Sequence, residues 1–103
     1  MMLQLRPNCE LCDKDLPANA LDARICTYEC TFCATCVADV LHNVCPNCGG
    51  GFSPRPIRPS KPRRAGVSLQ DQPSSQTRVT TKFSAAEIAA FCAAARDIEP
   101  HLR

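Results

Sequence analysis

The sequence predicts a small α+β fold held together by metal, on three observations: eight cysteines crowded into residues 9–48, an apolar helical face only about two turns long, and one capped helix near the end of 103 residues. The densest stretch is Cys26-Thr-Tyr-Glu-Cys30-Thr-Phe-Cys33-Ala-Thr-Cys36, with a Cys-x2-Cys pair before it (Cys9, Cys12) and another after it (Cys45, Cys48). Eight thiolates suffice for two tetrahedral sites. A Cys-x2-Cys turn aims two sulfurs at one point about 3.7 Å apart, the edge of a tetrahedron with ~2.3 Å Zn–S bonds. A metal fits that gap, whereas a disulfide needs it closed. Two zinc ions per chain are therefore the predicted cofactor.

Nine cysteines in 103 residues would also suit a secreted disulfide scaffold on composition alone. Against that, Met1-Met-Leu-Gln-Leu-Arg-Pro7 has no apolar h-region or small-residue cleavage site, and no apolar run approaches membrane-spanning length. The chain reads as cytoplasmic, where thiols stay reduced and available to metal.

Composition divides the chain into a head (1–52), a linker (53–82) and a C-terminal amphipathic helix (83–99). The head holds the eight clustered cysteines and most large apolar side chains. A core built from some fifty residues supplies only ~3–5 kcal/mol, whereas a structural zinc site gives an apparent ~10–16 kcal/mol. Metal should therefore decide folding. Residues 1–52 carry Arg6, Lys14 and Arg24 against six Asp/Glu, and residues 53–103 carry nine Lys/Arg against four Asp/Glu. With a formal −2 for each Zn(Cys)4 centre the head reaches about −7, facing a tail of +5.

In chain order, Leu3-Gln-Leu5 alternates like a short strand ended by Pro7 and leads into the first knuckle, Cys9–Cys12. Asp13–Asp22 is a loop with Leu16 and Leu21 as anchors to a small core. Ala23–Glu29 is extended enough for a hairpin bearing Cys26 and Cys30. Val37–Val44 reads as two helical turns with Val37, Val40, Leu41 and Val44 on one face. The last knuckle opens into Gly49-Gly-Gly51, whose backbone freedom lets the chain leave a metal turn. Residues 53–64 are rich in Pro and Arg, an extended polyproline-like segment, and residues 65–77 carry a disordered composition. Arg78–Phe83 is a candidate strand on docking. Ser84 with Glu87 forms a capping box, Phe83 with Ile88 a hydrophobic staple, and Ile88, Phe91, Cys92, Ala95 and Ile98 a narrow stripe ending near Glu99. That helix docks either on its own head or on a partner.

The spacing C-x2-C-x13-C-x3-C-x2-C-x2-C-x8-C-x2-C closely resembles that of the RING finger. Phe32 before the fifth cysteine, Val37 after the sixth, the short helix that follows, Leu11 before the second and the Cys-Pro-x-Cys ending add to the likeness. The resemblance implies a treble-clef-type cross-brace, with one zinc on Cys9, Cys12, Cys33 and Cys36 and the other on Cys26, Cys30, Cys45 and Cys48. Spacing alone also allows the sequential pairing, Cys9, Cys12, Cys26 and Cys30, then Cys33, Cys36, Cys45 and Cys48. The segments Leu5-Arg-Pro-Asn-Cys9, Cys12-Asp-Lys-Asp-Leu-Pro17, Ala23-Arg-Ile-Cys26, Glu29-Cys-Thr-Phe-Cys33 and Cys45-Pro-Asn-Cys-Gly-Gly50 are similar to a family of small bacterial proteins catalogued as a domain of unknown function.

The RING resemblance implies a ubiquitin-ligase role, but no tryptophan is present, Val40 lies near its usual place, Gly49 replaces a frequent basic residue, and Cys30 stands where histidine is common. A shared fold does not carry activity without the site. The preferred reading is a non-enzymatic, zinc-stabilised protein-interaction module with no catalytic residues. The alternative is sequence-independent nucleic-acid binding through Arg55, Arg58, Lys61, Arg63 and Arg64. A thiol or zinc sensor using Cys45-Pro-Asn-Cys48 comes third, without a thioredoxin-like context around it. His42 is read as an exposed helix residue and Cys92 as an apolar packing residue.

Overall fold

The computed structural model describes residues 2–103. A three-stranded antiparallel sheet in the order β2-β1-β3 forms its centre: β1 (Ala23–Ile25), β2 (Thr31–Cys33) and β3 (Ser53–Pro54). Arg24 pairs with Phe32 on one side and with Pro54 on the other. A hairpin forms around Cys26 and Cys30 as expected, but its second strand, Thr31–Cys33, lies beyond the expected Ala23–Glu29. Cys26 and Cys30 close the turn, where Cys26 N–H donates to the Cys30 carbonyl at 3.2 Å and Glu29 takes φ +66°. Tyr28 at the tip is 70% exposed.

β2 runs into a three-residue helix, α1 (Ala34–Cys36), which widens into a π turn over Val37–Leu41. Widening to i→i+5 bonds changes which side chains share a face. Leu41 and Val44 are buried as the apolar pattern predicts, but Val40 is turned out and 47% exposed. His42 and Asn43, both left-handed, end the turn.

Two further expectations fail. Leu3–Leu5 forms no strand, because Leu5 adopts φ +57° to reach the core and breaks the extended run. Leu16 is buried as predicted, while Leu21 is 84% exposed.

The core is small and rich in sulfur. Phe32, Leu16, Leu41, Val44 and Ala23 pack with six head cysteines, and Phe52 meets Phe32 edge-on at 5.4 Å between ring centres. Helix α2 (Ala85–Ala95) completes it from outside the head by inserting Ile88 and Cys92, each 2% exposed. The capping box forms as predicted: Glu87 N–H donates to Ser84 Oγ at 3.2 Å and Ser84 N–H to Glu87 Oε1 at 3.0 Å. α2 thus docks on its own head, ending sooner than the predicted Glu99. A short 3-10 turn, Pro100–Leu102, follows, and Arg103 donates to the carbonyls of Asn43 and Gly49.

Residues between β3 and α2 lie against the head at several points rather than only spanning it. Arg55 is buried, donating to the carbonyls of Arg6, Leu16 and Pro17 at 2.8, 3.2 and 3.0 Å. Arg58 donates to those of Leu3 and Gln72. Arg78–Phe83 docks without becoming a strand. No helix of the described residues is long and apolar enough to cross a membrane.

Candidate metal centre

The two Cys-x2-Cys turns are built alike. In each, the residue after the second cysteine donates its N–H to the carbonyl of the first: Asp13 to Cys9 at 2.9 Å and Gly49 to Cys45 at 2.7 Å. Closing the turn this way requires a left-handed backbone, φ +63° at Asp13 and +81° at Gly49. Asp tolerates that region better than most residues, and Gly adopts it freely. At Gly49 a Cβ would meet the Phe91 ring only at ordinary contact distance, 3.6 Å, so it is the positive φ rather than crowding by α2 that favours glycine there.

These turns and the hairpin bring the sulfurs together. The Sγ atoms of Cys9, Cys12, Cys33 and Cys36 all lie within 4.8 Å of one another, as do those of Cys26, Cys45 and Cys48. Cys30 stands beside the second group, close enough for its thiol to interact with those of Cys26 and Cys45. The groups therefore join the first pair of cysteines to the third, and Cys26 to the last pair. Cys12 and Cys33 are 3.8 Å apart, matching the ~3.7 Å edge of a Zn–S tetrahedron. All nine cysteines are free thiols, so the donors a soft divalent cation needs are present. Backbone N–H groups point at two of the sulfurs, Tyr28 at Cys26 (3.3 Å) and Gly50 at Cys48 (3.4 Å), as expected of donors supporting metal-bound thiolates.

Electrostatics points the same way. The Cys26 thiol is lowered to about 5 because Cys45 donates a hydrogen bond to it, and that same bond, with burial, pushes Cys45 up. Burial and neighbouring thiols also raise Cys36. Crowded, part-buried thiols resist ionising together unless a cation offsets their charge.

The other predicted residues lie apart from these groups. His42 is exposed. Cys92 is buried against the Val44 carbonyl at 3.7 Å, and burial raises its thiol. Of the basic run, Arg55 and Arg58 are engaged by carbonyls, while Lys61, Arg63 and Arg64 are exposed.

Sequence reasoning missed two polar residues that brace the first knuckle. Glu10, buried between Cys9 and Leu11, accepts from Thr31 N–H at 2.5 Å and pairs with Arg6 at 2.9 Å. Asn8, fully buried, meets both backbone groups of Val79. A polar residue directly flanking a clustered cysteine is the local signal that could have flagged either.

Residues 2–58 match the family described as "Protein of unknown function (DUF1272)". An uncharacterized protein of Rhizobium meliloti (strain 1021), R02474, is 53% identical over 78 residues, covering 76% of this chain and 86% of the relative. No solved structure matches. The match extends past the eight cysteines to include buried Arg55, and the chain belongs to the DUF1272 family.

Proposed function

We propose that this protein is a zinc-stabilised protein-interaction module whose RING-like head holds two structural ions in a cross-brace. Cys9, Cys12, Cys33 and Cys36 would hold one ion and Cys26, Cys30, Cys45 and Cys48 the other. The carrying observation is the interleaved grouping of sulfurs, which ties knuckles distant in sequence to the hairpin between them. Cys30, outside the close group of three but beside Cys26 and Cys45, would supply the fourth thiolate. Four thiolates around each zinc leave no position for substrate or activated water, so the metal's role here is architectural.

Native mass spectrometry of protein prepared under reducing, zinc-replete conditions is expected to find two zinc ions per chain. One ion or none would refute the assignment. Cadmium-113 NMR of Cys33→Ala is expected to disturb the resonance also lost in Cys9→Ala; disturbance of the Cys45/Cys48 site instead would favour sequential pairing.

The exposure of Lys61, Arg63 and Arg64 keeps nucleic-acid binding as a second reading. With only three free cations, the slope of log K against log salt should be about −3 on duplex DNA, at ~0.9 per phosphate contact. A slope near −5 would mean that Arg55 and Arg58 leave their carbonyls. Sequence-selective binding would contradict this reading, since the run contains no aromatic or base-reading side chain.

A further inference from the structure

Residues 75–81 lie along the N-terminal segment of the head. Ser75 N–H donates to the Gln4 carbonyl at 2.9 Å, and Thr81 N–H to the Glu10 carbonyl at 2.7 Å. Between them, the Asn8 amide donates to the Val79 carbonyl at 2.7 Å and accepts from Val79 N–H at 3.1 Å. Each pairing joins residues 71 positions apart, so residues 75–81 run parallel to residues 4–10 in constant register. The Asn8 side chain serves as a peptide unit where the backbones stand too far apart to pair. Asn8 is fully buried beneath the docked segment and also bonds to the Cys9 carbonyl and Asp13 Oδ1, contacts made within the head itself.

One side chain of the docked segment is also read. Arg78 donates to Asp13 Oδ1 at 2.9 Å, to the Asp13 carbonyl at 2.6 Å and to Asp15 Oδ1 at 2.7 Å. Lysine could not span these three acceptors, because an ammonium lacks the planar fork of a guanidinium. The ion pairs are exposed and individually weak, so backbone pairing supplies the grip and the arginine supplies selection.

We propose that Gln4–Asp15 is a binding site for an extended peptide bearing an arginine, and that Ser75–Thr81 occupies it in cis. The partner segment would present an arginine, then a residue whose backbone N–H and carbonyl are both free for Asn8, then a free N–H two positions on. This rests on the reading of the head as an interaction module, and it names the partner's chemistry. A segment carried on the same chain as its site has an effective concentration that reaches the millimolar range, so the tail keeps free peptides out until it is displaced.

The test uses the full-length, zinc-loaded protein. Arg78→Ala combined with Thr81→Pro removes the forked contacts and the Thr81 N–H while leaving α2 in the chain. A labelled peptide with the sequence of residues 75–82 is titrated and followed by fluorescence anisotropy. The released variant is expected to bind it about ten-fold more tightly than wild type, the gain given by a segment whose own Kd is about a tenth of its millimolar effective concentration. A peptide with alanine in place of the arginine should lose that gain. If the double variant loses metal, Arg78→Ala alone serves, since it touches only exposed contacts; it too should bind more tightly than wild type. A two-zinc, helical variant that ignores the peptide, or binds both peptides equally, overturns this inference and leaves the module reading standing. Loss of the two-zinc stoichiometry in wild type would instead refute that reading.

Discussion

Arg55 shows how far a residue's role can depart from its neighbours' composition. In sequence it is one of five cations among prolines, the composition of a solvated linker. In the fold it is 5% exposed, has no carboxylate partner among the described residues, and donates to three head carbonyls, of which those of Arg6 and Leu16 take no other hydrogen bond while that of Pro17 also accepts from Ala20 N–H. Burial lowers its pKa, yet a guanidinium remains charged, and the three carbonyl dipoles offset its lost hydration. Arg55→Ala should destabilise the zinc-loaded protein by about 2 kcal/mol or more, since buried acceptors left unpaired cost ~1–3 kcal/mol each. Arg55→Lys should recover little, because one ammonium cannot fork across the three carbonyls. Chemical denaturation checks both, and an unchanged midpoint for Arg55→Ala would show the bonds to be incidental. Nothing in the Pro-Arg run distinguishes Arg55 from Arg63 or Arg64; only the turn of β3 back onto β1 does so, carrying Arg55 N–H to the Ala23 carbonyl.

Helix α2 was legible because its signals are local. Ser84, Glu87 and the stripe through Ile88 and Cys92 stand at fixed offsets that any helix must respect, and the structure uses them as written. Its docking face was not legible, since one narrow stripe fits any apolar surface. The central helix was half legible: its pattern identified Leu41 and Val44, but a π turn, which has no sequence signature, moved Val40 outward. An eleven-residue helix is marginal in water, so α2 depends more on docking than on capping. Ile88→Ala should therefore cost about 2–5 kcal/mol, as for buried aliphatic truncations, against about 1 kcal/mol for Ser84→Ala. Equal effects in thermal unfolding would place the helix's stability in its cap. Glu87 adds a pH dependence: the Ser84 N–H bond holds its carboxylate below the ordinary value. A depressed carboxylate stabilises above the unfolded pKa, so the cap's contribution should fade as pH drops through the acid range, and Glu87→Gln should flatten that part of the curve.

The division into acidic head and basic tail was visible in charge alone, and the cysteine spacing pointed to metal, but neither showed that tail and head share one core. Ile88 and Cys92 sit on Leu41, Val44 and the Cys45 knuckle, a surface that exists only while the segment from Cys33 to Cys48 is held at both ends. In the proposed cross-brace, both ions hold that segment, Cys33 and Cys36 through one and Cys45 and Cys48 through the other. Removing zinc should therefore cost the protein more than its head. The small core cannot replace ~10–16 kcal/mol of metal-linked stability, and without its docking surface α2 is too short to persist. Titration with a strong chelator is expected to remove the far-ultraviolet signal of α2 in the same step as the sulfur-to-metal charge-transfer band of the cobalt-substituted protein. Acidification should give the same coupled loss, because metal-bound thiolates gain protons only on release and stability must fall as pH falls. If helical signal survived after all metal had left, α2 would be an independent element resting on the head, and head and tail would not share one metal-dependent core.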